Sequence, residues 1–242
     1  MLLEFGVVEK VKQLRREGLR PSEQLVRSIT RAEQAAVGPL LALATDLELL
    51  HQQAPESFAP LHALRLLGEL GSAEIIEPLL RQFPVSLAHD EEELPKTWVR
   101  EVAQIIGHLG ALAVEPLWRI VDNENESWNM AARSGALTAL GYVTAVDPET
   151  NDAIIAGIRE RMERSADKVL TSHLVIALAN MGVSNFYPEL MAMYRTGKLD
   201  QKILPAAAAR QLLLTDSSKR LACAKHPLWE RYDQHGPFPA QN

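Results

Sequence analysis

The sequence predicts an all-α protein built of stacked helix pairs, and three observations predict it. A five-residue pattern of large apolar, tiny, any, apolar and small residue recurs four times: Leu67-Gly68-Glu69-Leu70-Gly71, Ile106-Gly107-His108-Leu109-Gly110, Leu140-Gly141-Tyr142-Val143-Thr144 and Leu178-Ala179-Asn180-Met181-Gly182. The starts lie 39, 34 and 38 residues apart, a period typical of repeat architectures. Around these segments the apolar residues return at helical spacing, as in Leu64, Leu67 and Leu70 or Val102, Ile105, Ile106 and Leu109. No sustained alternation of apolar and polar residues between turn signals occurs, so no strand is expected.

The elements follow in order. Leu2 to Glu17 reads as a capping helix, with Val7, Val11 and Leu14 on one stripe and Lys10, Lys12, Arg15 and Arg16 mostly elsewhere. A helix over Ser22–Glu33 pairs with one running from Pro39 to about Gln53. The helix ending at Gly71 pairs with one opened by Pro78, the helix ending at Gly110 with one opened by Pro116, and the helix ending at Gly182 with one opened by Pro188. Proline at the first helical position lacks only a donor that would be orphaned anyway. Gly71, Gly110 and Gly182 stand where a left-handed residue closes a helix. Leu137, Leu140 and Val143 mark one further helix, and Lys202–Leu214 and Ser217–Ala224 complete the series.

A glycine inside a helix costs roughly 1 kcal/mol relative to alanine, so Gly68, Gly107 and Gly141 at one repeat position call for a compensating gain, expected to be close helix packing. Asp147–Asp152 and Pro84–Lys96 read as loops, the latter carrying the acidic run Asp90 to Glu93, expected to be solvated surface. The tail from His226 to Asn242, with Pro227, Pro237 and Pro239, reads as an irregular strap. Its Trp229 and Tyr232, three apart, would form one covering face, with Phe238 beyond. A helix pair of this size cannot bury its apolar face alone, so one domain is expected over residues 1–242: a cap at 1–20, repeats at 22–224 and the strap at 225–242.

Composition narrows the function classes. Of 242 residues 47% are hydrophobic, which fits a globular chain. Acidic residues outnumber basic ones 31 to 25, and a net charge of -6 argues against wholesale binding to a nucleic-acid backbone. The best basic cluster, Lys10, Lys12, Arg15, Arg16 and Arg20, is interleaved with Glu4, Glu9 and Glu17. The single cysteine, Cys223, excludes an internal disulfide and a cysteine-built zinc site and points to a reducing compartment such as the cytoplasm. Neither a signal peptide nor a membrane span fits: the long stretch Leu170 to Pro188, which lacks Asp, Glu, Lys and Arg, carries Ser172, His173, Asn180 and Asn185.

The paired helices, the small residue late in the first and the proline opening the second are similar to HEAT-like repeats, particularly the short variety of phycobilisome lyases. The layout from about Ser22 to Met162 also resembles a bacterial HEAT-repeat family of unassigned function. The resemblance implies a right-handed α-α superhelix, a solenoid of about five to six helix pairs whose second helices line a concave groove. It implies a scaffold that holds another macromolecule, and it transfers no individual functional residue.

The second helices begin Glu77-Pro78-Leu79-Leu80-Arg81 and Glu115-Pro116-Leu117-Trp118-Arg119. A glutamate in the first turn with an arginine four residues later stabilises a helix by a few tenths of a kcal/mol on its own. Arg81 and Arg119 along a concave wall, with Trp118 beside them, would also offer forked donors and an aromatic face to an acidic segment of a partner protein. These five residues are the candidate site. The phycobilisome likeness offers an alternative, a bilin lyase or chromophore carrier with Arg119 for propionates and Trp98, Trp118 and Trp128 as ring walls. No catalytic set, cofactor fingerprint or metal site is expected. His62, His108 and His173 precede Ala63, Leu109 and Leu174, so the adjacent carboxylate of a His-Glu di-iron pattern is missing. His62 and His173 are expected on a helix surface or partly buried, and His226 and His235 have no third ligand nearby in sequence. No histidine and carboxylate can be placed beside Cys223 to activate it, and no serine-based triad is visible.

Overall fold

A computed structural model of the chain describes residues 2–85, 93–123 and 128–236, with side chains from residue 6 onward. The acidic residues Asp90 to Glu92 and the tail residues Pro237, Phe238 and Pro239 lie outside the described residues. All regular structure among the described residues is helical: α1 (Leu2–Gln13), α2 (Glu23–Thr30), α3 (Gln34–Ala44), α4 (Ala59–Leu70), α5 (Ile76–Leu80), α6 (Glu93–His108), α7 (Ala111–Val121), α8 (Met130–Val146), α9 (Asn151–Arg164), α10 (Lys168–Asn180), α11 (Tyr187–Arg195), α12 (Ala206–Leu214), α13 (Ser217–Leu221) and α14 (Leu228–His235). Two compact units divide the chain, the first formed by Met1–Leu109 with His226–Asn242 and the second by Gly110–Lys225.

In the first unit α4 is the centre, packed against α2, α3, α6 and α14. Every residue from Ala59 to Gly68 is buried, which a helix tolerates when neighbours cover it on all sides. Leu61, Leu64, Leu66 and Leu67 are wholly enclosed, each contributing about 1.5–3 kcal/mol of apolar burial. In the second unit α8 packs against α7, α9, α10 and α13, and α10 against α9 and α12. Leu140, Val143, Leu174, Val175 and Leu178 form its core.

Gly71 and Gly182 close helices as the sequence indicates, whereas Gly110 (φ 60°, ψ −139°) lies outside the left-handed helical region and stands as the N-cap of α7. Gly71 closes α4 in the left-handed conformation (φ 67°). At Gly182 (φ 77°) the amide of Val183 bonds the carbonyl of Leu178 and that of Gly182 bonds Ala179, the paired C-terminal bonds that a left-handed residue permits. The prolines differ from expectation. Pro39 and Pro116 lie inside α3 and α7, each preceded by a turn of helix, and Pro78 is the third residue of α5. The extra turns hold because bonds of the i to i−3 kind close them, Ala36 to Glu33 and Ala113 to Gly110. Of these four prolines, Pro188 alone sits next to a helix start. Residues 93–96, read as loop, belong to α6, and α12 starts at Ala206, after Pro205, not at Lys202.

Two of the helix-interior glycines have different reasons. A Cβ on Gly68 would stand 2.8 Å from Ile105 Cδ1 in the enclosed core, so this glycine does permit close packing of α4 on α6. A Cβ on Gly141 would meet only Met181 Cγ, at 3.6 Å, an ordinary contact. Gly141→Ala is therefore expected to raise stability by about 1 kcal/mol, a rise of roughly 2–4 °C in melting temperature for a chain this long. Gly68→Ala should gain nothing or lose stability. Thermal unfolding of both variants checks this, and equal responses would refute the distinction.

The tail is not an irregular strap where it is described: it forms α14, whose Leu228, Arg231 and Tyr232, at helical spacing, are buried in the first unit. Polar contacts hold it. The Tyr232 hydroxyl lies 2.8 Å from His62 Nδ1, Arg231 donates to Gln104 at 3.2 Å, and the Leu228 amide donates to Glu69 at 3.1 Å. Beneath it, Arg65 donates to both oxygens of Glu101 at 2.5 and 2.7 Å, donates to the Gly236 carbonyl, and lies 4.4 Å from the centre of the Tyr232 ring. Both side chains of the Arg65–Glu101 pair are wholly enclosed. His62 is fully buried and not on a helix surface, because α14 covers one ring nitrogen while the Gly18 carbonyl lies 2.9 Å from the other. His226 and His235 stack with ring nitrogens 2.9 Å apart.

Candidate partner-binding site

The five candidate residues fall in both units. Glu77, in the first turn of α5, and Arg81, the residue that follows α5 in the first unit, pair at 3.4 Å; Glu115 and Arg119, on α7 in the second, pair at 3.9 Å. All four side chains are about half exposed or more. Pairs this exposed contribute roughly 0.3–0.5 kcal/mol at most, so they can be altered with little effect on folding.

Trp118 is placed differently from the open aromatic face expected. The Arg161 guanidinium lies 3.8 Å from its ring centre, and a Cβ on Gly157 would come within 3.0 Å of its ring, so α9 covers it. Arg161 is fixed from three sides: it forks onto Asp122 with both carboxylate oxygens, and it donates to the Gly157 carbonyl at 2.9 Å. Planar bidentate pairing and ring stacking are what a guanidinium does better than an ammonium. Of the other tryptophans proposed as ring walls, Trp98 is fully buried with its Nε1 donating to the Ala44 carbonyl at 2.9 Å, and Trp128 is also buried.

Next to Trp118 the ends of α7 and α9 and the starts of α8 and α10 frame a cleft of about 760 Å³. Arg133, Arg161 and Arg164 line it together with Asp122, Asp167 and Leu170. Arg133 donates twice to the Val121 carbonyl, at 2.7 and 2.9 Å, satisfying the open end of α7 and favoured there by the helix dipole. Arg164 reaches Glu160 at 3.5 Å and remains exposed. Asp167 caps α10 by accepting from the Val169 amide at 2.8 Å. Three forked cations thus converge from α8 and the last turn of α9. The sequence reasoning missed this cluster. Its signal was the Arg161 and Arg164 spacing at a helix end, but Arg133 joins them only through the fold.

Ser134 and His173 approach to 3.0 Å between α8 and α10. Burial lowers the proton affinity of His173, opposed by the charge of Asp167. No carboxylate bonds the other ring nitrogen of His173 among the described residues, so the pair links two helices without the third member that would orient a catalytic histidine. Among the described residues no three His, Cys, Asp or Glu side chains are grouped to hold a metal ion, and no helix is long and apolar enough to cross a membrane. The basic residues near α1 are largely committed: Lys12 to Glu9 at 2.7 Å, Arg15 to Asp46 at 3.0 Å and Arg20 to Asp233 at 2.6 Å. The chain matches no protein-family model, no curated protein and no solved structure.

Proposed function

We propose that the chain is a non-catalytic, HEAT-like scaffold whose helix pairs stack as a right-handed superhelix and which holds an acidic segment of a protein partner. The observation that carries the reading is the convergence of Arg133, Arg161 and Arg164 on one cleft of about 760 Å³. Arg119, on the adjoining α7, adds an exposed forked donor close in sequence to that cleft. Guanidinium groups match carboxylates bidentately; the forks of Arg133 and Arg161 are committed to the Val121 carbonyl and to Asp122, so the exposed Arg164 and Arg119 are the groups that would receive a partner's carboxylates. Enclosure of Trp98 and Trp128 and coverage of Trp118 favour this reading over the bilin one, which needs open aromatic walls. With a single cysteine, the protein would work in a reducing compartment such as the cytoplasm.

The test is charge reversal at exposed positions. Arg119 and Arg164 are 70% and 65% exposed, so Arg119→Glu/Arg164→Glu should unfold at nearly the wild-type temperature. Proteins captured by the wild type and lost with this variant, with capture weakening as salt rises, are the expected result. Capture unchanged by the double reversal, in a variant that folds, would remove the cleft from the account.

A further inference from the structure

We propose that α14 is an acid-released latch: protonation of the histidines beneath it and at its two ends undocks this helix from the first unit while the rest of that unit stays folded. His62 meets Tyr232 in the middle of the helix, His226 stands two residues before it and His235 is its last residue. Each ring sits in a hydrogen bond that a further proton disrupts. The Gly18 carbonyl, 2.9 Å from His62 Nε2, can only accept, so Nε2 carries the ring proton and Nδ1 accepts from the Tyr232 hydroxyl at 2.8 Å. A second proton reverses that bond and sets a buried cation one helical turn from Arg65. His226 Nδ1 and His235 Nε2 meet at 2.9 Å, and one of the two must accept from the other, so the contact does not survive a proton on both.

The carboxylates on the elements around His62 are engaged with other groups: Glu101 of α6 in the fork of Arg65, Glu69 of α4 with the Leu228 amide at 3.1 Å, Asp233 of α14 with Arg20 at 2.6 Å, and Glu17 with the Ser22 amide at 2.7 Å. Glu56, on the turn whose Phe58 ring packs edge-on against His62, is exposed. Glu230 of α14 stands 3.7 Å from His226 Nε2 and accepts from Gln234 at 2.6 Å. Among the described residues Arg65 and Arg231 are buried here against one buried carboxylate, Glu101, so a proton on His62 adds to a positive surplus. Burial accordingly holds the pKa of His62 down at about 4, with the Arg65 charge helping and the Gly18 carbonyl opposing. Burial also lowers that of His235; Glu101 opposes, while His226, Arg231 and Arg65 add to the effect.

The hold on α14 is of a kind that charge undoes, and it is small enough to give way by itself. Leu228 and Tyr232 supply its buried apolar surface; its other ties include hydrogen bonds, such as those from Arg231 to Gln104 and from Arg65 to the Gly236 carbonyl. An eight-residue helix does not persist alone in water, so α14 unravels once undocked, whereas α4 keeps α2, α3 and α6 as neighbours. Release uncovers a polar face of α4 and α6, with Arg65, Glu101 and Gln104, that is closed at neutral pH. The docked state excludes protons that the released state binds, so docking is strongest above pH 6.5 and weakens as the pH falls towards 4.

The test is hydrogen exchange of the full chain at pH 6.5 and pH 5, corrected for the intrinsic pH dependence of amide exchange. The open fraction of α14 should rise about tenfold or more between the two, and at pH 5 the α14 amides should exchange well ahead of those of Leu64, Leu66 and Leu67 in α4. Exchange of α14 and α4 together at both pH values means that the helix leaves only when the whole unit unfolds, and it overturns the proposal; so does protection of α14 that ignores pH. His62→Gln should cut the rise to about threefold or less, and a rise as large as in the wild type removes the buried ring from the latch. Should that variant not fold, ¹⁵N shifts of the wild-type His62 ring take its place. A neutral ring protonated at Nε2 for as long as α14 is protected is the expected result, and a charged ring beneath a protected α14 is the contrary one.

Discussion

Arg65→Met is expected to cost about 3–5 kcal/mol of folding stability, because it leaves Glu101 buried without its cation. Both members of the pair are wholly enclosed between α4 and α6, and α14 seals them from above. Burial works against the charge of Arg65, and the bonds and charge of Glu101 more than offset it, so its proton affinity is raised. An attraction of this kind compensates for desolvation and adds little beyond it. The double variant Arg65→Met/Glu101→Leu, which removes both charges and keeps the volume, should therefore recover most of the loss. Urea unfolding of the wild type, the single and the double variant measures this directly. A single variant within about 1 kcal/mol of wild type would show that water reaches the pair.

Acid should weaken the first unit through His62. Burial pushes its pKa from 6.5 down to about 4, with the Arg65 charge lowering it further and the carbonyl of Gly18 opposing. Between those two values the unfolded chain binds a proton that the folded chain excludes, so stability is complete above pH 6.5 and falls as the pH drops towards 4. The loss amounts to about 1.5 kcal/mol between pH 6.5 and 5. His235, packed beside His226, is lowered by burial too and acts in the same direction. Glutamine at position 62 retains hydrogen bonding and cannot titrate. His62→Gln should therefore flatten the dependence over this range, whatever its stability at pH 7.5. Parallel pH profiles for the two proteins would show that the ring takes up its proton while folded.

What was legible in the sequence is what local physics dictates. Gly71 and Gly182 close helices because only a residue without a Cβ enters the left-handed region cheaply, and that reason is visible in one dimension. The prolines misled because a first turn can close with i to i−3 bonds ahead of Pro39 and Pro116, which residue order does not reveal. The tail helix was missed although Leu228, Arg231 and Tyr232 carry its spacing; eight residues with two buried polar side chains give a weak apolar stripe. The polar interior of the first unit was invisible. His62 and Arg65 look like solvent-facing residues of α4, and their partners Tyr232 and Glu101 lie 170 and 36 residues away. Glu115 and Arg119 form the expected pair, whereas the Arg133, Arg161 and Arg164 cluster draws on two helices and needed the fold.

The most direct test of partner binding at the arginine cleft is zero-length carbodiimide coupling of the full chain to captured protein, since it joins lysine amines to carboxylates in contact. Lys168 is exposed and follows Asp167 at the cleft rim, while Lys10 and Lys12 lie on α1 of the first unit. An acidic segment seated in the cleft predicts products between Lys168 and aspartates or glutamates of the partner, lost in Arg119→Glu/Arg164→Glu. Coupling confined to Lys10 and Lys12, and indifferent to those substitutions, would contradict it.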